Sequence, residues 1–243
     1  DLALNSVGIT DMRMSLFERL FYRCKRQDWN HALGVLSFQG RMHEEIMKFP
    51  NALSYDGILK VLPNIKRLRE QRQFIASNEE LGKLINKRFI YVATPTDQAF
   101  NWKTNMHETE EVLRFVRRLK QLYEENGKKI EKQTIGIITP YRAQIATIRN
   151  AFEEQIPELL DTISIDTVER YQGGARDIIL LSLCTNKLSQ LKSLVSLSNE
   201  GIDRKLNVAI TRAREQIIVF GNKEILSSNE TYKQLIESAY NWH

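Results

Sequence analysis

The chain has 243 residues, with 35 Lys+Arg against 30 Asp+Glu, a formal net charge of +5, and only 11 Gly, 5 Pro and 2 Cys. A hydrophobic share of 42% with 9% aromatics fills a core and excludes a disordered chain, while the scarcity of Gly and Pro argues against a turn-rich all-β protein. Cys24 and Cys184 lie far apart, which suggests neither a disulfide framework nor a Cys-rich zinc site and fits a reducing compartment.

Short apolar runs alternate with amphipathic stretches, the pattern of a parallel sheet with helical crossovers. The spacing predicts strands at 34–38, 88–93, 134–138, 162–165, 177–184 and 216–220. Between the first two, 64–87 is dense in charge and poor in periodicity, and reads as an irregular or helical excursion within one domain spanning 1–243. A helix is predicted over 108–124, with Val112, Val116, Leu119 and Tyr123 on one face and Asn105 with Glu108 as an Asn capping box. Its outward Arg114, Arg117 and Arg118 form either a solvated basic face or a nucleic-acid contact.

At Thr139-Pro140-Tyr141-Arg142, a strand hands over to a helix burying Ile145, Ile148 and Phe152. Thr139 is the expected N-cap and Pro140 the first helical residue, which sets a helix N-terminus at the carboxyl end of a strand. Such a place suits a phosphate, although an ordinary strand-to-helix turn reads the same way. The polar link 165–177 contains Gly173-Gly174, which either admits a ligand close to main-chain N–H groups or makes a tight turn. In 178–181 the run Ile-Ile-Leu-Leu is apolar on both faces, as a strand covered on both sides must be. Over 206–214 a helical reading puts Leu206, Ala209, Ile210 and Ala213 on one face, Asn207, Thr211 and Arg214 opposite, and Arg212 on the flank. Two arginines ahead of a buried strand suit an anion. The segment 232–240 reads as a closing amphipathic helix.

No apolar run approaches the ~20 residues of a membrane span, and no signal-peptide pattern opens the chain. The expectation is a cytoplasmic protein, nuclear in a eukaryote, with no membrane partner. Cys24, His31, His43 and His107 lack metal-ligand spacing, so no metal site is expected, and His43 is expected to pack or cap. A start at Asp1 with a helical pattern by Met14 suits a piece of a longer polypeptide.

Taken in order, the polar segments resemble the second, C-terminal RecA-like domain of superfamily-one helicases, in the subgroup of the nonsense-mediated-decay helicase, senataxin and the replication helicase-nuclease. The matches are Gln39-Gly40-Arg41-Met42-His43-Glu44, Phe49-Pro50-Asn51, Tyr55-Asp56-Gly57, 138–141, 167–173 and 206–213, with 15–20 upstream. An unrelated α/β enzyme would need these ordered matches by coincidence. The resemblance implies an α/β, RecA-like domain of the P-loop NTPase type, three-layered with a mainly parallel sheet. It implies that Arg41 and Arg212 reach a γ-phosphate, that Gln39 and Gly173 line the nucleotide, and that Thr139, Tyr141 and Thr167 face a nucleic-acid backbone. Gly40 and Ala175 depart from the family, which usually has Tyr and often Glu there; Glu44 stands in place of a Pro.

None of the 11 glycines opens a G-x-x-x-x-G-K-[ST] loop: Gly82-Lys83 precedes Leu84, and Gly127-Lys128 precedes Lys129. ATP and Mg²⁺ are therefore expected only in a full-length protein that supplies an upstream RecA-like domain, and this chain alone is expected to be inactive. The implied substrate is single-stranded DNA or RNA. The alternative is a nucleic-acid-binding or interaction module that has lost motor activity.

Overall fold

The run Ile178-Ile179-Leu180-Leu181 forms a central strand of a six-stranded parallel sheet, paired on both sides. The computed structural model describes residues 16–65, 70, 72–98, 101–171, 174–197 and 203–243. The chain divides into two compact units, 1–37 and 38–243. In the first, α1 (Leu16–Arg26) carries Glu18 in its first turn and Arg23, Lys25 and Arg26 in its last, the charge order that a helix dipole favours.

The second unit begins with β1 (Phe38–Gln39), which pairs in parallel with β2 (Lys60–Val61) across α2 (Glu44–Ser54). The strand predicted at 34–38 is thus corrected to its last residue and the one following. Among the described residues its partner is two residues long and leaves 34–37 without a ladder. After α3 (Glu79–Asn86), the main sheet comprises β3 (Phe89–Ala93), β4 (Ile135–Ile138), β5 (Ser164–Asp166), β6 (Arg176–Ser182), β7 (Ala213–Gly221) and β8 (Tyr240–Trp242). The strand order is β5-β4-β6-β7-β3-β8, with every pairing parallel. Helices α4 (Met106–Glu125) and α5 (Arg142–Gln155) follow β3 and β4, and α6 (Leu191–Leu194), α7 (Arg204–Ile210), α8 (Lys223–Ser227) and α9 (Glu230–Ser238) complete the unit.

Strand alternation divides the core into two layers. Ile90, Ile137, Leu180 and Ile218 face α3, α4 and α5 through Leu84, Val116 and Phe152. Tyr91, Ile138, Ile179 and Val219 face α2, α7 and α9 through Ile46, Ile210 and Leu235. This is the three-layer α/β arrangement expected from the sequence. Among the described residues, no helix is long and apolar enough to cross a membrane.

Three helical readings change. The helix placed over 206–214 stops at Ile210, and Ala213 and Arg214 belong to β7. Pairing overrides the apolar period there, because the Arg212 carbonyl accepts the Arg176 N–H at 3.0 Å and Ala213 sits in register with Arg176. The closing helix ends at Ser238, and Tyr240 opens β8 on the edge of β3. The capping box is half-formed: Asn105 accepts from Glu108 N at 2.9 Å, but the Glu108 carboxylate turns inward to the Ser182 hydroxyl and the Cys184 and Thr185 N–H groups. Burial has won over capping at that residue. Within 64–87, α3 is helical, and 66–69 and 71 lie outside the described residues.

The loop after β5 is anchored by Tyr171, whose hydroxyl donates to the Ser164 carbonyl at 2.9 Å. That ring reaches β4 because position 136 is glycine: a Cβ there would collide with the Tyr171 hydroxyl and come within 2.8 Å of Arg176 Cγ. Gly136→Ala is therefore expected to destabilise the fold by roughly 1–3 kcal/mol, the usual range for overpacking. Urea unfolding checks this, and an unchanged midpoint would show that the loop is not braced on β4.

Candidate nucleotide and nucleic-acid interfaces

The predicted site residues separate to the two ends of the parallel sheet. At the amino end of β7, the turn from α7 carries Arg212, and the loop after β1 carries Arg41. The two segments are joined directly, because His43 N donates to the Arg214 carbonyl at 2.7 Å and Arg41 Nη1 to the Thr211 carbonyl at 3.3 Å. Arg212 Nε donates to the Val208 carbonyl at 3.2 Å and Nη1 to that of Gly174 at 3.5 Å. Among the described residues neither guanidinium has a carboxylate partner. Burial, and then the nearby Arg41 charge, lowers the Arg212 pKa. Two cations held near each other make a region of positive potential.

Gln39 braces this pair. Its Oε1 accepts from the N–H groups of Arg41 and Met42, both at 2.8 Å, and its Nε2 donates to the Met42 carbonyl at 2.9 Å. His43 caps α2 through Nδ1, which accepts from Glu45 N at 3.2 Å, as the packing-or-capping expectation has it. Asn51 clasps the backbone of Leu59 at both its N–H and carbonyl, at 2.9 and 3.1 Å, which fixes the start of β2. A Cβ at Gly40 would lie 2.9 Å from Leu62 Cδ1 and 3.0 Å from Ile65 Cδ1, so a larger residue there would have to displace the tips of these two side chains. Gly173 lies outside the described residues; its neighbour Gly174 contributes the carbonyl held by Arg212.

At the opposite, carboxyl end lie Thr139, Tyr141 and Thr167. Thr139 is not the N-cap: α5 begins at Arg142, its N-cap is Tyr141, and no side chain caps it. Thr139 N is instead drawn into the ladder by the Asp166 carbonyl at 3.2 Å, two residues ahead of the N-cap position. Its side chain is buried, and Oγ1 has no hydrogen-bond partner among the described residues. It borders a cavity of about 40 Å³ beside Tyr232, room for one water. Tyr141 is half-buried, shares a hydrogen bond with Ser193 Oγ at 3.0 Å, and meets Trp102 edge to face at 5.6 Å. The Trp102 carbonyl is pinned by Asn186 Nδ2 and Gln190 Nε2, both at 3.1 Å. Thr167 N donates to Asp166 Oδ1 at 2.8 Å. Trp102 has no motif of its own, and only the folded loop brings it to Tyr141.

The three arginines of the α4 basic face each have a side-chain partner. Arg114 binds Glu111, Arg117 binds Gln155, and Arg118 binds Glu80 through two bonds of 2.9 and 3.1 Å. Among the described residues, no group of three or more His, Cys, Asp or Glu is placed to hold a metal ion.

A family model described as an AAA domain matches residues 12–224. The chain belongs to the AAA domain family. This AAA domain is 29% identical over 237 residues to an uncharacterised ATP-dependent helicase of Methanocaldococcus jannaschii, covering 94% of this chain and 32% of that protein. It is 30% identical over 228 residues to helicase sen1 of Schizosaccharomyces pombe, covering 91% of this chain and 12% of that one. A solved C-terminal domain of a possible DNA helicase from a Lactobacillus aligns with a TM-score of 0.42 at 12% identity, over 80% of this chain and 96% of that one. The AAA domain thus spans about a third or less of the length of these two helicases. Both names agree with the helicase resemblance carried by the motifs.

Proposed function

We propose that this AAA domain is the C-terminal motor half of an ATP-dependent helicase or translocase acting on single-stranded DNA or RNA. The observation that carries the reading is the meeting of Arg41 and Arg212 at the amino end of β7, held by backbone carbonyls and short of negative charge. Bound in an interdomain cleft with Mg²⁺, ATP would supply the phosphoryl group whose cleavage drives the cycle. The chain's part is to present two guanidiniums to the charge developing on that group, and to do so only when the cleft is closed. Gln39 keeps the Arg41 loop in place, and Gly173 is read as lining the nucleotide. The chain has no phosphate loop, so the lysine and the Mg²⁺-binding hydroxyl must come from an upstream RecA-like domain.

At the carboxyl end, Tyr141, Thr167 and the pinned Trp102 offer hydroxyls and aromatic faces to a strand. Such groups hold backbone and bases without reading sequence. Thr139, buried here, would support the strand site from beneath or enter it on domain closure. With the nucleotide set and the strand set at opposite ends of one rigid sheet, opening and closing at one end is transmitted to the other. Gly40 and Ala175, which depart from the family's usual Tyr and frequent Glu, motivate a second reading, a nucleic-acid-binding module without motor activity.

The test is hydrolysis. The intact polypeptide is expected to hydrolyse ATP faster when single-stranded oligonucleotide is added, and the 243-residue chain alone is expected not to hydrolyse it. No strand stimulation in the intact polypeptide would favour the binding module, and turnover by the chain alone would refute the division of labour.

A further inference from the structure

Helix α5 presents Arg142, Ile145 and Arg149 at i, i+3 and i+7, which places them along one face. That face meets the loop after β5, and together they line a polar pocket of about 260 Å³ formed by Arg142, Ile145, Arg149, Ile165, Asp166 and Arg170. Three guanidiniums share it with one carboxylate. Asp166 is already occupied: Oδ1 accepts the Thr167 N–H at 2.8 Å, and Oδ2 stands 3.9 Å from Arg170.

On the neighbouring α4, Arg114, Arg118 and Lys120 each meet a glutamate. Among the described residues, Arg142 and Arg149 have neither a hydrogen bond nor an ion pair, and both are exposed. The N-terminus of α5 adds to the same field, since no side chain caps its first-turn N–H groups. A concave site with three guanidinium forks against one carboxylate has the chemistry of a phosphate receptor. It also opens beside Thr167, and Arg142 directly follows Tyr141.

We infer that this pocket is a phosphate-binding subsite for the backbone of the single strand, extending the contact beyond Tyr141 and Thr167 to the β5 edge of the sheet. The inference rests on the reading of the carboxyl end as the strand-binding face. Because the contact is to phosphate, it adds affinity without base preference.

The test compares the intact polypeptide with its Arg142→Gln/Arg149→Gln/Arg170→Gln variant, measuring anisotropy of a labelled single-stranded oligonucleotide across salt concentrations. Each phosphate contact on a single strand contributes about 0.7 to the slope of log affinity against log salt, so the triple variant should lose about 2 from that slope. Arg114→Gln/Arg118→Gln, which removes paired arginines, should leave the slope unchanged. A triple variant with the unaltered slope overturns the pocket while the strand-binding reading stands. Failure of the unaltered polypeptide to bind oligonucleotide at all overturns both. Binding of inorganic pyrophosphate that depends on the three arginines, with no change in the oligonucleotide slope, would overturn the strand assignment by making the pocket a site for free phosphates.

Discussion

Arg212→Ala in the intact polypeptide is expected to lower strand-stimulated ATP turnover by about 10³-fold or more, the range in which an arginine finger acts. The loss should fall on kcat, because a guanidinium that engages charge developing in the transition state contributes little to ground-state binding. The proposed role draws on how Arg212 is held: Nε donates to the Val208 carbonyl at 3.2 Å, and burial lowers the guanidinium pKa. Arg212→Lys should restore little, since an ammonium lacks the planar fork that bonds a carbonyl and a phosphoryl oxygen together. Arg41→Ala should also be slow, and the double variant should be little slower than the worse single one, because both residues serve the same charge. Folding is a fair control: among the described residues the Arg212 side chain makes two long bonds to carbonyls, so its loss should move the urea midpoint slightly. Turnover within tenfold of the unaltered protein would remove the finger assignment.

The legible parts of this fold are those where one physical rule dominates. Ile178-Ile179-Leu180-Leu181 had to be covered on both faces, and Val112, Val116 and Leu119 had to share one, whatever surrounded them. β1 and β8, at two and three residues, are too short to show a period, and they exist because a neighbour offers an edge. Pro50 sits inside α2, where local rules would end a helix. Ala213 fits a helical face in the sequence and is claimed by the β6 ladder in the fold. The same contrast holds for the sites. Ordered motifs nominated Arg41 and Arg212, whose segments the fold joins, whereas the pocket on α5 needs Arg170, which only the turn after β5 brings to Arg142 and Arg149. Spacing along α5 could have found two of its three arginines. Nothing local could have found the third.

Unfolding in urea between pH 4.5 and 6.5 should be almost independent of pH in the unaltered chain and become strongly dependent when either of two buried groups is replaced. Glu108 is fully buried, and that burial pushes its carboxyl from 4.5 up to about 7, against the pull of bonds from Ser182, Cys184 and Thr185. The native state therefore keeps a proton that the unfolded chain has lost, and stability falls as pH rises from about 4.5 to about 7. His43 runs the other way. Burial first, then the charges of Arg88, Arg72 and Lys48, depress its imidazole from 6.5 to about 4. Here the unfolded chain holds the extra proton, so stability rises with pH across that window and is lost as pH falls toward 4. Each swing is on the order of 2–3 kcal/mol, and over their shared range the two oppose. His43→Asn retains an N-cap acceptor for α2 but cannot titrate, so its stability should fall as pH rises. Glu108→Gln removes the opposite limb and should leave stability rising with pH, whatever fixed penalty its amide incurs against the Thr185 N–H. Profiles for both variants that run parallel to that of the unaltered chain would show that neither group titrates as its surroundings require.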